Sequence, residues 1–216
     1  MTYDERGRLE TSTAGGETTR YGYDGVGNLD RLTLPDGSYL AYGYDAAQRL
    51  TSIADSLGNS VTYTLDELGN RKKEDTKDPA GALAQTMSRV FNGLSRVKEM
   101  RGAAGQLTSY DYDPQGNLKS ATDPLNHATG NEYDALNRLM RVTEPQVAGA
   151  PAAGSIGYAY DAQDNLTRVT DQRGLATSYA YTGFDELSTL TSPDTGVTNY
   201  TYDPAGNVAT MQDARG

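Results

Sequence analysis

The residues of this 216-residue sequence best placed to do chemistry are its aspartates, which recur directly after tyrosine. Tyr-Asp stands at Tyr3-Asp4, Tyr23-Asp24, Tyr44-Asp45, Tyr112-Asp113, Tyr133-Asp134, Tyr160-Asp161 and Tyr202-Asp203. Carboxylates at such regular intervals invite two reactive readings, ligation of a divalent cation and general acid–base catalysis. A third reading is conformational: an Asp that opens a turn accepts hydrogen bonds from backbone N–H groups just ahead of it. One Asp per period, always at the same position, fits the third. The turns lack the Asp-x-Asp-x-Asp-Gly spacing of a calcium loop and the nonapeptides of calcium-binding β-rolls, which leaves a weak surface calcium site as the metal alternative.

The other reactive types are poorly placed. His127 is the only histidine and falls in the turn-forming stretch Asp123-Pro124-Leu125-Asn126-His127, with no positioned nucleophile. Ser and Thr are abundant, but one His and no Cys leave nothing evident to activate them. No pair of carboxylates is singled out for glycoside hydrolysis. Arg101-Gly102-Ala103-Ala104-Gly105 has glycines without a βαβ unit around them, so it predicts a hairpin turn and not a dinucleotide loop. The sequence therefore assigns no catalytic residue, no cofactor and no metal, and predicts a protein that is not an enzyme.

The elements that carry these residues follow from the repeat. With Leu65-Asp66, Phe91-Asn92 and Tyr181-Thr182 as degenerate starts, the start-to-start spacings are 20, 21, 21, 26, 21, 21, 27, 21 and 21 residues. A second aromatic column lies two residues earlier, at Tyr21, Tyr42, Tyr63, Tyr110, Tyr158, Tyr179 and Tyr200, broken by Arg89 and Asn131. Aromatics at i and i+2 share one face of a strand. Four residues after the start, eight of ten units have a residue suited to positive φ: Gly7, Gly27, Gly69, Gly116, Gly206, Asn137, Asp164 and Asp185. An aliphatic anchor follows two positions later, as at Leu29, Leu118 and Leu166. Second turns such as Pro35-Asp36-Gly37 close each unit as a hairpin. Apolar positions three apart, such as Leu29 and Leu32, violate the period of two and predict a bulge or strong twist.

The expected architecture is thus all-β: tandem antiparallel hairpins in a single array over residues 1–216, about nine full units and a truncated tenth. The long units span 65–90 and 133–159. The weak helical stretch 82–89 predicts a longer hairpin, and both insertions are expected at the same turn of the unit. Composition agrees with a thin structure, since hydrophobic residues are 36% of the chain, with 24 Gly, 16 Tyr, two Phe, and neither Trp nor Cys. A net charge of -10 without a basic stripe argues against nucleic acid, and no apolar run is long enough to insert in a membrane. The N-terminal MTYDERGRLE has no signal-peptide core.

Three segments carry a family resemblance: Tyr23-Asp24-Gly25-Val26-Gly27-Asn28-Leu29, Tyr112-Asp113-Pro114-Gln115-Gly116-Asn117-Leu118, and Tyr202-Asp203-Pro204-Ala205-Gly206-Asn207-Val208. They resemble the Rhs/YD-repeat family of bacterial polymorphic toxins, insecticidal toxin complex C-components and teneurins. The resemblance implies a hairpin ribbon curved into a spiral β-shell, a scaffold that encloses a C-terminal toxin in a secreted or cell-surface protein. The implied partners are the rest of a longer shell and the enclosed toxin domain. Nothing matches the DPxGLxxGxNxY-type segment that precedes an excised toxin, and the sequence stops inside a repeat at Ala214-Arg215-Gly216, so an interior stretch of a longer protein is expected. Exposed strand edges predict self-association. The alternative function is a carbohydrate- or protein-binding surface that uses the tyrosine-rich face.

Overall fold

The computed structural model describes residues 1–146, 149 and 153–215. Among them every helical or strand element is a β-strand, and the chain divides into two compact units, Met1–Ser109 and Tyr110–Gly216. The first holds β1 (Thr2–Tyr3), β2 (Leu9–Ala14), β3 (Glu17–Tyr23), β4 (Leu29–Thr33), β5 (Tyr39–Tyr44), β6 (Leu50–Asp55), β7 (Ser60–Leu65), β8 (Arg71–Lys77), β9 (Leu83–Phe91) and β10 (Val97–Arg101). β11 (Leu107–Tyr112) runs across the division. The second unit continues with β12 (Leu118–Thr122), β13 (Ala128–Tyr133), β14 (Leu139–Thr143), β15 (Ser155–Tyr160), β16 (Leu166–Thr170), β17 (Ala176–Tyr181), β18 (Leu187–Ser192), β19 (Gly196–Tyr202) and β20 (Val208–Gln212). Within each unit the strands pair antiparallel with their neighbours in sequence, a plain meander.

The irregular apolar spacing has a bulge behind it. Gly22 opposes Arg31, yet Tyr23 opposes Leu29, so Asp30 is an extra residue in β4. The same register shift occurs at Gly43/Tyr44, Ala159/Tyr160, Ala180/Tyr181 and Thr201/Tyr202. One inserted residue lets anchors three apart face the same side. Cross-strand partners share a face, so Tyr21, Tyr23, Leu29, Leu32, Leu40 and Tyr42 line one side. The opposite side carries small or polar residues such as Gly22, Ala41, Ala54 and Gly43. At Gly43 an added Cβ would force the Ser52 hydroxyl to move.

Burial shows what this layering leaves out. Among the described residues no hydrophobic side chain is buried, and Thr198, 7% exposed, is the one buried residue. The accessible surface is 13982 Å², against roughly 9,700 Å² expected of a compact 23.2 kDa chain. Half-buried tyrosines and leucines along a single layer replace a core.

The two long repeats differ from each other. The first places its extra residues in strands, lengthening β8 and β9 around an ordinary five-residue turn at 78–82, so residues 83–89 form strand and not helix. This insertion extends the strands on either side of the second turn and leaves the turn itself at five residues, because Thr76 and Lys77 keep pairing with Gln85 and Leu83 through a second bulge. In the other, Glu144 N donates to Gly154 O at 2.8 Å, and residues 147–148 and 150–152 of its insertion lie outside the described residues.

Candidate functional site

The Tyr-Asp turns are five-residue loops closed by two backbone hydrogen bonds. In turn 24–28 Asp24 N donates to Asn28 O at 2.9 Å and Gly27 N to Asp24 O at 3.2 Å. The same pair of bonds closes turns 4–8, 45–49, 66–70, 113–117, 134–138, 161–165 and 203–207. A type I turn followed by a positive-φ residue gives this pattern. The fourth position has φ of 108° at Gly27, 62° at Asn137 and 71° at Asp164. Gln48 and Ser95, less suited by type, are held at 61° and 58° in the same place.

Each turn Asp is spent on its own loop. Asp24 Oδ1 accepts from the backbone N–H groups of Val26, Gly27 and Asn28, at 3.0, 2.7 and 2.9 Å. Asp4, Asp45, Asp113, Asp134, Asp161 and Asp203 accept in the same way. The second carboxylate oxygen takes the side chain of the loop's fifth residue, whether Asn (Asn28, Asn117 and Asn207, at 2.9, 2.9 and 3.1 Å) or Arg (Arg8, Arg49 and Arg138, at 2.7, 2.8 and 2.7 Å). These bonds favour the charged form and hold the carboxyls below their ordinary pKa. At Asp24 the largest cause is the Asn28 side chain; at Asp45 it is the Arg49 backbone N–H.

The tyrosines do something the sequence does not display. Tyr44 OH donates to the carbonyl oxygen of Leu29, in the preceding repeat, at 2.8 Å. Tyr23 does so to Leu9, Tyr133 to Leu118, Tyr160 to Leu139, Tyr181 to Leu166 and Tyr202 to Leu187, all within 2.9–3.1 Å. The geometry gives the reason. Pairing of β4 with β5 ends at Arg31↔Ala41, two residues short of Leu29, and the hydroxyl takes the carbonyl left beyond the ladder. Burial, then the charge of Asp24, pushes the Tyr44 phenol up, so it stays a donor. Tyr3 differs, with its hydroxyl 3.9 Å from Met1 Sδ, and Tyr112 ends β11.

Sequence reasoning named Asn28, Asn117 and Asn207 at the fifth loop position but missed the alternation there. From Arg8 it alternates Asn28, Arg49, Asn70, Arg96, Asn117, Arg138, Asn165, until Glu186 breaks the order before Asn207. Several of these side chains reach the next Tyr-Asp turn: Arg49 Nη1 donates to Asp66 O at 2.9 Å, Arg138 Nη1 to Asp161 O at 2.8 Å, and Asn165 Nδ2 to Asp185 Oδ1 at 2.7 Å. The guanidinium carbons of Arg8 and Arg138 also stand 4.3 and 4.9 Å from the ring centres of Tyr23 and Tyr160. The alternation was legible in the repeat alignment; its cross-turn destination was not.

His127 Nδ1 lies 3.0 Å from Asp123 Oδ2 in an exposed second turn whose N–H groups Asp123 caps. Among the described residues no group of three or more His, Cys, Asp or Glu is placed to hold a metal ion. Among the described residues no helix is long and apolar enough to cross a membrane.

Comparison with known proteins agrees with this geometry. The RHS repeat family model matches seven stretches, residues 3–39, 23–58, 44–83, 91–128, 113–146, 160–197 and 185–216. The chain is 31% identical over 166 residues to double-stranded DNA deaminase toxin A of Burkholderia cenocepacia (strain H111), a match that covers 68% of this chain and 12% of the toxin. The fold is similar to part of the Photorhabdus luminescens Tc holotoxin pore, with a TM-score of 0.64 at 16% identity, over 98% of this chain and 13% of that one. It is also similar to part of the TcdB2–TccC3 complex without its hypervariable C-terminal region, at 0.66 and 16%, over 91% and 11%. Repeated Tyr-Asp turns, a meander of short strands and seven model matches agree: the chain belongs to the RHS repeat family.

Proposed function

We propose that residues 1–216 form one continuous array and act as a non-catalytic scaffold, a wall segment of a longer β-shell that encloses a toxin domain in a secreted or cell-surface protein. The observation that carries this reading is the hydroxyl-to-carbonyl bond from six repeat-start tyrosines to the Leu of the repeat before, as at Tyr181 and Leu166 (2.9 Å). Repeats fastened to their neighbours, and not around a core, make a thin sheet whose extent grows with repeat number. The relatives are toxins or toxin assemblies by name, which supports an enclosed toxin as the partner.

The tyrosine-rich face supports a binding role less well. Six hydroxyls of the repeat-start column are already donated to leucine carbonyls, and the two breaks in the column two residues earlier are satisfied from within. Asn131 Nδ2 donates to Leu118 O at 2.9 Å, and Arg89 lies 4.0 Å from Glu74.

The wall reading includes self-association. β20 pairs with β19, and all five of its residues are exposed; an exposed edge recruits further strands. Light scattering combined with small-angle X-ray scattering over a concentration range tests both points. A mass that rises with concentration, or a hollow particle, is expected. A concentration-independent, solid globular monomer overturns the reading.

A further inference from the structure

The break in the Arg/Asn column at Glu186 leaves a cleft that the rest of the array shows how to fill. Where the fifth loop residue is Arg, its guanidinium lies against the next Tyr-Asp turn. Arg8 Nη1 is 3.4 Å from where a Cβ on Gly27 would stand, and Arg49 Nη1 is 3.9 Å from the same point on Gly69. Glu186 Oε1 occupies the matching place, 3.8 Å from that point on Gly206. The loop chemistry is inverted too. Thr182 replaces the usual Asp, and its hydroxyl donates to Glu186 Oε2 at 3.1 Å, where elsewhere an Asp accepts from Arg or Asn. Among the described residues Oε1 has no hydrogen-bond partner.

A carboxylate thus stands where a cation belongs, beside the Tyr202 ring. The cleft between turns 182–186 and 203–207 measures about 570 Å³, against about 360 Å³ for its counterpart beside Arg8. Phe184 borders it, 87% exposed at the tip of its turn. The surrounding field has the right sign, because residues 110–216 hold fourteen Asp and Glu against six Lys and Arg.

We propose that this cleft receives the guanidinium of an arginine from a basic partner polypeptide. The incoming arginine pairs with Glu186 and lies over Tyr202, as Arg138 lies over Tyr160 in this chain. Phe184 supplies the apolar rim for a neighbouring side chain of the peptide. The occupant is an arginine and not a lysine, because a planar cation fits both a carboxylate and a ring face.

The test is titration of the 216-residue chain with an acetylated, amidated Leu-Arg-Leu peptide, read by amide chemical shifts. Saturable shifts confined to residues 183–186 and 203–207 are expected. Glu186→Gln should weaken binding at least tenfold. The pair Thr182→Asp with Glu186→Arg rebuilds the Asp–Arg arrangement of turn 134–138; it should abolish binding and raise Tm. Binding that is absent, unchanged in Glu186→Gln, or equal with citrulline or lysine in place of arginine overturns the proposal.

Discussion

Tyr44 and Tyr3 occupy the same column but differ in what their hydroxyls reach: Leu29 O at 2.8 Å for one, Met1 Sδ at 3.9 Å for the other. A ring that only packs tolerates Phe. A phenol that satisfies a half-buried carbonyl does not, because a lost partner costs about 1 kcal/mol. Tyr44→Phe is therefore expected to lower unfolding free energy by about 1 kcal/mol in urea denaturation, and Tyr3→Phe to leave it unchanged within about 0.3 kcal/mol. Equal effects would reduce the column to simple packing. The preference is already visible as 16 Tyr against two Phe. What the sequence could not display is the acceptor, a main-chain atom in the preceding repeat, fifteen positions before Tyr44, brought near by the end of a ladder. Asp24 is the opposite case. Its acceptors and donors lie within four residues, so its role follows from local turn chemistry alone.

At the scale of elements, the turn and the bulge were legible to different degrees. Spacing announced the bulge, since Leu29 and Leu32 cannot share a face of a regular strand; pairing with β3 then identifies Asp30 as the extra residue. The length of β8 and β9 was legible as a long hairpin but not as two bulges, because both depend on cross-strand register. The turn motif was read at eight units, while Gln48 and Ser95 show that the loop imposes its conformation on unsuited residues. Left-handed backbone costs a side-chain-bearing residue about 1–2 kcal/mol. Glycine removes that strain but loses about 0.5–1 kcal/mol to the freedom of its unfolded chain. Gln48→Gly is expected to stabilise the protein by about 0.5–1 kcal/mol, seen as a higher Tm in calorimetry. The same change at Ala47, one residue earlier and not at positive φ, is expected to destabilise.

At the scale of the molecule, the described residues bury no hydrophobic side chain and depend instead on many small cages, which share one chemical weakness. Every Tyr-column turn that begins with Asp holds that carboxyl below its ordinary pKa, at Asp4, Asp24, Asp45, Asp66, Asp113, Asp134, Asp161 and Asp203. At Asp113 and Asp161 burial is the largest single influence and pushes the other way, yet the hydrogen bonds together outweigh it. A carboxyl depressed in the folded state contributes stability that is complete above the unfolded value, about 3.9. That contribution is lost as pH falls through the folded pKa, since the unfolded chain binds protons first. Stability should therefore be level from neutral pH down to about pH 5 and then fall steeply below about pH 4. Protonation also erases the negative charge that balances 19 Lys and Arg, so repulsion among those cations reinforces the loss. Because the cages recur along the whole chain, acid should loosen many repeats over one narrow pH range. Circular dichroism and amide exchange from pH 7 to 2 test this: a single steep loss below about pH 4 is expected, and unchanged protection of the turn amides at pH 2.5 would show that the carboxylates do not hold the loops.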